Sequence, residues 1–196
     1  MRSIEILQPQ PMHPGAVSQA EPCGARVYVK QQSDCRCRPV WAGFRAVPTL
    51  RREYRALTAL TKLGIRVPEV VRYVEQAGLA RLVLREVPDA LPLDQALDSG
   101  GKHRCVMLAK LAGTIAALHR TGWVHGALYP EHILYSRKDQ HIHLIDFDKA
   151  QRNPLQRESD LARLWRRFDR FNQRERDHFE QIYRSQLPRS TRVRGG

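Results

Sequence analysis

Apolar and polar residues alternate in a short segment near the start of the chain. In residues 26–30, Val27 and Val29 fall on one face, whereas polar side chains that include Lys30 fall on the other. A period of two residues is typical of a strand with one buried face. Short apolar runs predict further strands at residues 67–73, 79–87, 133–135 and 142–145, with turns at 76–78 and 136–140.

Apolar residues spaced three and four apart predict the helices. The first has Thr49 as its N-cap, carries Leu50, Leu57 and Leu60 on one stripe, and ends at Gly64. Other helices are predicted near residues 93–97, at 102–120 and at 160–184, the last with an interruption near Asn172. Strands around one helix, followed mainly by helices, indicate an α+β fold.

Glu53 lies on the buried stripe of the first predicted helix, three residues after Leu50 and four before Leu57. A buried carboxylate is costly unless it meets a cation. Lys30 on the preceding strand can supply that cation, so we expect the two side chains to form an ion pair.

The run from His125 to Ala150 carries the most informative chemistry. Its second predicted strand ends in Asp-Phe-Asp, which places Asp146 and Asp148 at a strand tip beside His132. Carboxylates in that position can hold a divalent metal through hard oxygen ligands. Enzymes that transfer phosphoryl groups use this arrangement for the phosphates of a nucleotide.

Hydropathy and the N-terminal sequence bear on where in the cell the protein is expected. A mean hydropathy of -0.52 and short apolar runs argue against membrane spans. Residues 1–20 lack the apolar core of a signal peptide. We therefore expect a cytoplasmic protein whose four cysteines are reduced thiols.

The formal net charge of +13 predicts an anionic partner: nucleic acid, an anionic membrane surface or a phosphorylated substrate. Arginines are concentrated in the C-terminal third, where acidic residues such as Asp160 are interleaved with them. We expect each of these residues to lie on a solvated helix face with ion pairs along it. The excess of arginine over acidic residues still requires an anionic partner.

The order of these features resembles the protein-kinase-like fold: strand lysine, helix glutamate, hinge, long helix, His-Gly-x-Leu-x-x-x-His, strand, Asp-Phe-Asp. More closely, the chain is similar to the lipopolysaccharide core kinase family, which phosphorylates heptose or Kdo, and within it to the InaA-like branch. The matching segments are residues 28–31, 48–57, 63–68, 122–126, 128–133 and 144–146.

The resemblance covers about residues 25–165 and implies a two-lobed fold. The N-terminal lobe would hold a small antiparallel sheet and one helix, and the C-terminal lobe would be mostly helical. We expect four parts along the chain: an irregular N-terminal segment at residues 1–20, an N-terminal lobe at 21–87, a C-terminal lobe at 88–184 and a basic disordered tail at 185–196.

The resemblance also implies roles for individual positions. Lys30 would hold the α- and β-phosphates of ATP, and Glu53 would orient it. Asp146 would be catalytic through a bound Mg2+ or Mn2+, with His132 as a second metal ligand. His125 would be the structural histidine of the catalytic loop.

Two further positions belong to the expected hinge between the lobes. Glu86 and Val87 end the strand at residues 79–87 and would bind the nucleotide there. The other implied partner is the lipopolysaccharide core or its precursor, reached from the cytoplasm or from a peripheral position on the inner membrane.

Two departures from the family pattern bear on activity. Ala127 occupies the position of the catalytic aspartate, and loss of a general base typically costs on the order of 10²–10⁴ in rate. Asp148, Glu131 and His132 are candidate substitutes. The expected nucleotide lid at residues 14–27 lacks a Gly-x-Gly-x-x-Gly pattern.

Three functions follow in order of preference. The first is an ATP-dependent kinase of an inner-core sugar of lipopolysaccharide. The second is a pseudokinase or nucleotide-binding scaffold, which Ala127 favours. The third is a small RNA- or ribosome-associated atypical kinase; no basic stripe with interleaved aromatic residues supports it, so nucleic acid ranks last among the partners.

Overall fold

The computed structural model describes residues 16–20, 26–76, 78–98, 101–168 and 171–188, with backbone alone for 16–20 and 101–102. The N-terminal lobe contains an antiparallel sheet with strand order β1-β2-β6-β5. Its strands are β1 (Ala16–Ala20), β2 (Arg26–Ser33), β5 (Val70–Gln76) and β6 (Leu79–Arg85). Ala80, Leu82 and Leu84 alternate into the core along β6, as a strand with one buried face requires.

The expectation of an irregular segment at residues 1–20 is wrong for residues 16–20. This strand pairs with β2 from Ala16 opposite Lys30 to Ala20 opposite Arg26. Its sequence has little strand propensity of its own, but an open edge of β2 offers main-chain partners that sequence periodicity cannot reveal. Residues 1–15 lie outside the described part of the chain.

Helix α1 (Thr49–Lys62) covers one face of this sheet. Leu50, Leu57 and Leu60 are at most 1% exposed, which confirms the predicted stripe. Thr49 is not the N-cap, because Pro48 holds that position and no side chain caps the helix. Two short strands, β3 (Arg36–Cys37) and β4 (Val47–Pro48), pair before the helix and close the loop that joins it to β2.

The C-terminal lobe is mainly helical. Its helices are α2 (Leu93–Leu97), α3 (Gly101–Arg120), α4 (Arg157–Arg167) and α5 (Gln173–Ser185). Its strands are β7 (Ala90–Pro92), β8 (Trp123–Val124), β9 (Ile133–Ser136), β10 (His141–Leu144) and β11 (Gln151–Arg152). The expected hairpin is confirmed, since β9 and β10 pair antiparallel.

The interruption predicted near Asn172 separates α4 from α5. Asn172 accepts a hydrogen bond from the main chain of Glu175, whose carboxylate accepts one from the main chain of Asn172 in return. This capping box starts a new helix. Most of the tail predicted at 185–196 lies outside the described residues, which end at 188. No helix in the described ranges combines the length and apolar character that crossing a bilayer requires.

Candidate active site

Three elements bring a cation and two carboxylates together between the lobes. The Lys30 Nζ on β2 lies 2.7 Å from Glu53 Oε1 on α1 and 2.6 Å from Asp146 Oδ1 after β10. The ion pair predicted for Lys30 and Glu53 is confirmed, and Asp146 joins it from a position 116 residues along the chain.

This cluster is costly to bury. Glu53 is fully buried, which raises the pKa of its carboxyl group, and the Lys30 ammonium opposes that shift. Burial alone would lower the pKa of Lys30, but the charges of Glu53 and Asp146 outweigh it and raise that pKa. Two carboxylates share one ammonium, so the cluster keeps an excess negative charge that attracts a further cation.

Asp146 stands at a strained point of the backbone. Its φ angle of 65° lies in the left-handed region, which is uncommon for a residue with a side chain. The next residue, Phe147, is fully buried and packs against the His125 ring at 4.4 Å between centroids. Burial and the charge of Asp146 raise the pKa of Asp148, which follows on the same turn.

The geometry of His132 defines its tautomer. Its Nδ1 lies 2.7 Å from the carbonyl oxygen of Ala127, which can only accept a hydrogen bond. The Nδ1 therefore carries a proton, and Nε2 faces Asp146 Oδ2 at 3.3 Å. The ring nitrogen Nε2 is thus the one that faces the carboxylate, and it is the one that could bind a cation there.

These residues fit a divalent metal as a partial ligand set. Asp146 supplies carboxylate oxygen, and His132 supplies a nitrogen whose other ring nitrogen is fixed by a main-chain hydrogen bond. Within the described ranges, no group of three or more His, Cys, Asp or Glu side chains could hold a metal alone. Further ligands would have to come from phosphate oxygens or water.

His125 lies behind this site and outside the cavity lining. Its Nε2 donates a hydrogen bond to the carbonyl oxygen of Ile145 at 2.9 Å, and the ring stacks on His132. Burial lowers the pKa of His125 to about 4, so the ring is neutral at pH 7. These contacts hold the 125–132 loop against the strand that presents Asp146.

Asp160 anchors the same loop, a role that sequence analysis missed. This fully buried carboxylate accepts hydrogen bonds from the main-chain N–H groups of His125 at 2.5 Å and Gly126 at 2.9 Å. His119 lies 3.3 Å away and hydrogen-bonds Tyr183 through its other ring nitrogen. Asp160 was expected on a solvated face; its position four residues before Leu164, on the apolar stripe, was the signal available.

Ala127 sits where this anchored loop faces the cleft. Gly126 before it has a φ of 78°, and a Cβ there would lie 2.3 Å from the Lys149 carbonyl oxygen, so a larger residue cannot be accommodated. The side chain of Ala127 is 2% exposed and lines the cavity without offering an acid or a base.

A cavity of about 470 Å³ lies at this site, and its volume is within the range of small-molecule binding sites. It is lined by Lys30, Gln31, Gln32, Leu50, Glu53, Ala127, Tyr129, Glu131, His132, Asp146, Asp148, Lys149 and Arg167. At its outer wall the Arg167 guanidinium covers the Tyr129 ring at 4.2 Å and pairs with Glu131 at 2.7 Å.

The expected hinge residues lie outside this cavity lining. Glu86 and Val87 directly follow β6; Glu86 pairs with Arg26 at 2.7 Å, and Val87 is buried. Their contact with a nucleotide stays a prediction. Of the expected lid at residues 14–27, residues 14–15 and 21–25 lie outside the described ranges, whereas 16–20 form β1 and 26–27 begin β2. Cys35, Cys37 and Cys105 are free thiols, and Cys23 lies outside the described ranges.

Comparison with known proteins decides the family. The family model described as "Lipopolysaccharide kinase (Kdo/WaaP) family" matches residues 15–184. The chain belongs to this lipopolysaccharide kinase family. No curated protein sequence matches the chain.

Solved structures similar to this lipopolysaccharide kinase family member share its fold. One is "WaaP in complex with acyl carrier protein", with a TM-score of 0.66 and 20% identity over 93% of this chain and 79% of that one. Another is an aminoglycoside-3'-phosphotransferase of type VIII, with a TM-score of 0.56 and 20% identity over 92% and 85% of the two chains. The predicted two-lobed, protein-kinase-like fold is confirmed.

Proposed function

We propose that this chain is an ATP-dependent phosphotransferase that phosphorylates an inner-core sugar of lipopolysaccharide or its precursor. The observation that carries the proposal is Lys30 held between Glu53 and Asp146 at 2.7 and 2.6 Å. A scaffold gains little from burying an ammonium and two carboxylates, because apolar residues of similar volume stabilise a core as well or better. A nucleotide site requires these charges.

The residues around the cavity would have different roles in such a nucleotide site. Lys30 would contact the α- and β-phosphates, and Glu53 would keep its ammonium directed into the cleft. Asp146 and His132 would hold Mg2+ or Mn2+, which would supply positive charge to offset that of the phosphates. Glu86 and Val87 would contact the base of the nucleotide where the chain passes between the lobes.

Asp148 is the best substitute for the missing base at Ala127. It lines the cavity, and its raised pKa brings it closer to the working pH of a general base. Glu131 is engaged by Arg167, and His132 by Ala127 and Asp146. A loose phosphoryl transition state demands little of a base, so positioning by the remaining residues can sustain turnover.

Transfer of labelled phosphate from ATP to purified lipopolysaccharide or its precursors tests this function. We expect transfer by the wild-type protein and a loss of about 10³-fold in Asp146→Ala, the scale of removing one preorganised electrostatic group. Asp177→Ala, which removes an exposed carboxylate on α5, serves as the matched control and should transfer normally. Transfer that survives Asp146→Ala unchanged would reject the assigned site.

A pseudokinase is the second candidate, and Ala127 is the observation that favours it. In that case ATP binding would depend on Mg2+ or Mn2+ through Asp146, while no acceptor would be phosphorylated. Calorimetric titration of ATP with and without metal, run beside the transfer assay, separates the two functions. An absence of nucleotide binding would contradict both.

A further inference from the structure

The loop between β2 and α1 exposes large apolar side chains that the nucleotide site does not use. Within residues 35–47, Val40 is 77% exposed, Trp41 is 42% exposed and Phe44 is 64% exposed. Val40 and Trp41 belong to a single 3-10 turn, Val40–Ala42. Three such residues within five positions concentrate exposed apolar surface on one loop, which we call the apolar tip, rather than scattering it singly as is normal on a protein surface.

Backbone strain supports a function for this tip. Phe44 has a φ of 59°, and the preceding Gly43 has a φ of 58°. A bulky residue in the left-handed region is an outlier, and it usually persists where the surroundings reward it. Here the ring is exposed, so packing within the described chain does not supply that reward.

The charged residues within the loop itself are of one sign. Residues 35–47 contain three arginines and no acidic residue. Arg36, Arg38 and Arg45 are exposed, and the exposed Arg55 on α1 places its guanidinium 4.2 Å above the Trp41 ring. The pKa of Glu75 is lowered mainly by the hydrogen bond that it accepts from Arg51 and only to a smaller extent by the charge of Arg36, so this carboxylate is already engaged.

We propose that the 35–47 loop is a docking surface for an anionic phospholipid bilayer. An exposed turn that carries tryptophan, followed closely by an exposed phenylalanine, suits the boundary between headgroups and acyl chains, where no shaped groove is required. Arginines around the tip gain from the negative surface potential, and their aliphatic stems can lie along the apolar layer.

The 35–47 loop is hydrogen-bonded to the helix that lines the cavity, so a bilayer docked on the loop would lie close to that cavity. The main-chain N–H of Thr49, the first residue of α1, donates a hydrogen bond to the Cys35 carbonyl oxygen at 3.0 Å. Leu50 and Glu53 on the same helix line the cavity. A bilayer that binds the loop therefore lies beside the helix that forms one wall of the proposed nucleotide site.

Cosedimentation of the full chain with vesicles tests the proposal. We expect binding to vesicles of phosphatidylethanolamine and phosphatidylglycerol and little binding to phosphatidylcholine. Val40→Ser/Trp41→Ser/Phe44→Ser should weaken partitioning at least tenfold, and Arg36→Gln/Arg38→Gln/Arg45→Gln by about 10²-fold, at about fivefold for each arginine near an anionic surface. All six side chains are described and exposed, so both variants should keep the wild-type melting temperature.

Control variants remove an apolar side chain or arginines of comparable exposure from surfaces outside the 35–47 loop. Leu155→Ser removes an apolar side chain that is 92% exposed, and Arg72→Gln/Arg152→Gln/Arg174→Gln removes three exposed arginines. Both controls should partition like the wild type. Brominated lipids should quench the fluorescence contributed by Trp41, which is measured as the difference from Trp41→Phe.

Three results would overturn the proposal: no binding of the wild type to anionic vesicles, unchanged binding of the loop variants, or an equal loss in the charge control. The first of these would be expected if the loop docked on an acidic protein or on a second copy of the chain. The measurement needs neither ATP nor an acceptor, so its outcome is independent of the proposed phosphotransferase activity.

Discussion

The two walls of the cavity use polar groups in different ways. The wall formed by β2, α1 and Asp146 carries charge into the cleft, with Lys30 held between two carboxylates. The wall formed by the 125–132 loop presents Ala127 to the cleft, and its main chain is held from behind by Asp160 on α4. One wall provides charge for a ligand, and the other is built to hold a main-chain shape.

The position expected to carry a catalytic aspartate holds Ala127, yet the main chain around it is well supported. Asp160 still accepts two main-chain hydrogen bonds from the loop, and Gly126 still has the conformation that only glycine tolerates there. The loop also fixes the orientation of His132, whose Nδ1 lies 2.7 Å from the Ala127 carbonyl oxygen.

The largest expected effect comes from removing the anchor of the loop. Asp160→Ala should lower the free energy of unfolding by about 4 kcal/mol, because two main-chain N–H groups and His119 would lose a buried partner. Urea denaturation with an unchanged m-value measures this loss. Glu158→Ala, which removes an exposed carboxylate from the same helix, should change stability by less than about 0.5 kcal/mol. Equal effects in the two variants would mean that the loop is not anchored by Asp160.

The same carboxylate should give a pH dependence of stability. Burial opposes ionisation of Asp160, but hydrogen bonds from His119 and from the main-chain N–H groups of His125 and Gly126 lower its pKa below the ordinary value. A folded pKa below the unfolded value of about 3.9 means that its stabilisation is fully present above about pH 5. It is lost as the pH falls through the folded pKa. The stability difference between wild type and Asp160→Asn, measured by urea denaturation from pH 3 to 7, should shrink at the acid end.

The charged wall should respond differently, through coupling between its members. Lys30→Met should lower the free energy of unfolding by about 3 kcal/mol, because Glu53 would remain buried without its cation. Lys30→Met/Glu53→Leu should regain most of that loss, since an apolar pair of similar volume can replace a buried ion pair. Urea denaturation of both variants and of Glu53→Leu completes the cycle. Independent, additive effects would contradict an ion pair that matters for stability.

The sequence could predict the charged wall but not the anchor of the other one. The pairing of Lys30 with Glu53 could be predicted because each residue lies on a regular element, and the period of that element shows which of its faces is buried. Asp160 was not, because its partners are main-chain N–H groups 34 and 35 residues away. Strand β1 was missed for a related reason: it exists through pairing with the edge of β2 rather than through its own residues.

The smallest expected effect concerns Ala127 and tests what the loop still positions. We expect Ala127→Asp to maintain phosphoryl transfer or to raise it by up to about tenfold, because a loose transition state gains little from a base. Ala127→Asn, equal in size but without a base, is the matched control in the labelled-ATP assay. An increase confined to the aspartate variant would assign it to proton transfer.

A rise in phosphoryl transfer of about 10²-fold or more in Ala127→Asp would contradict the small effect expected here, since it equals the typical contribution of a general base. The natural protein would then be a pseudokinase that lacks the base and retains the rest. Equal activity in the alanine, asparagine and aspartate forms would instead mean that the loop serves to position His132 beside Asp146, and that the charged wall carries the catalysis. The retention of Asp160 and Gly126 behind a silent Ala127 favours this second outcome.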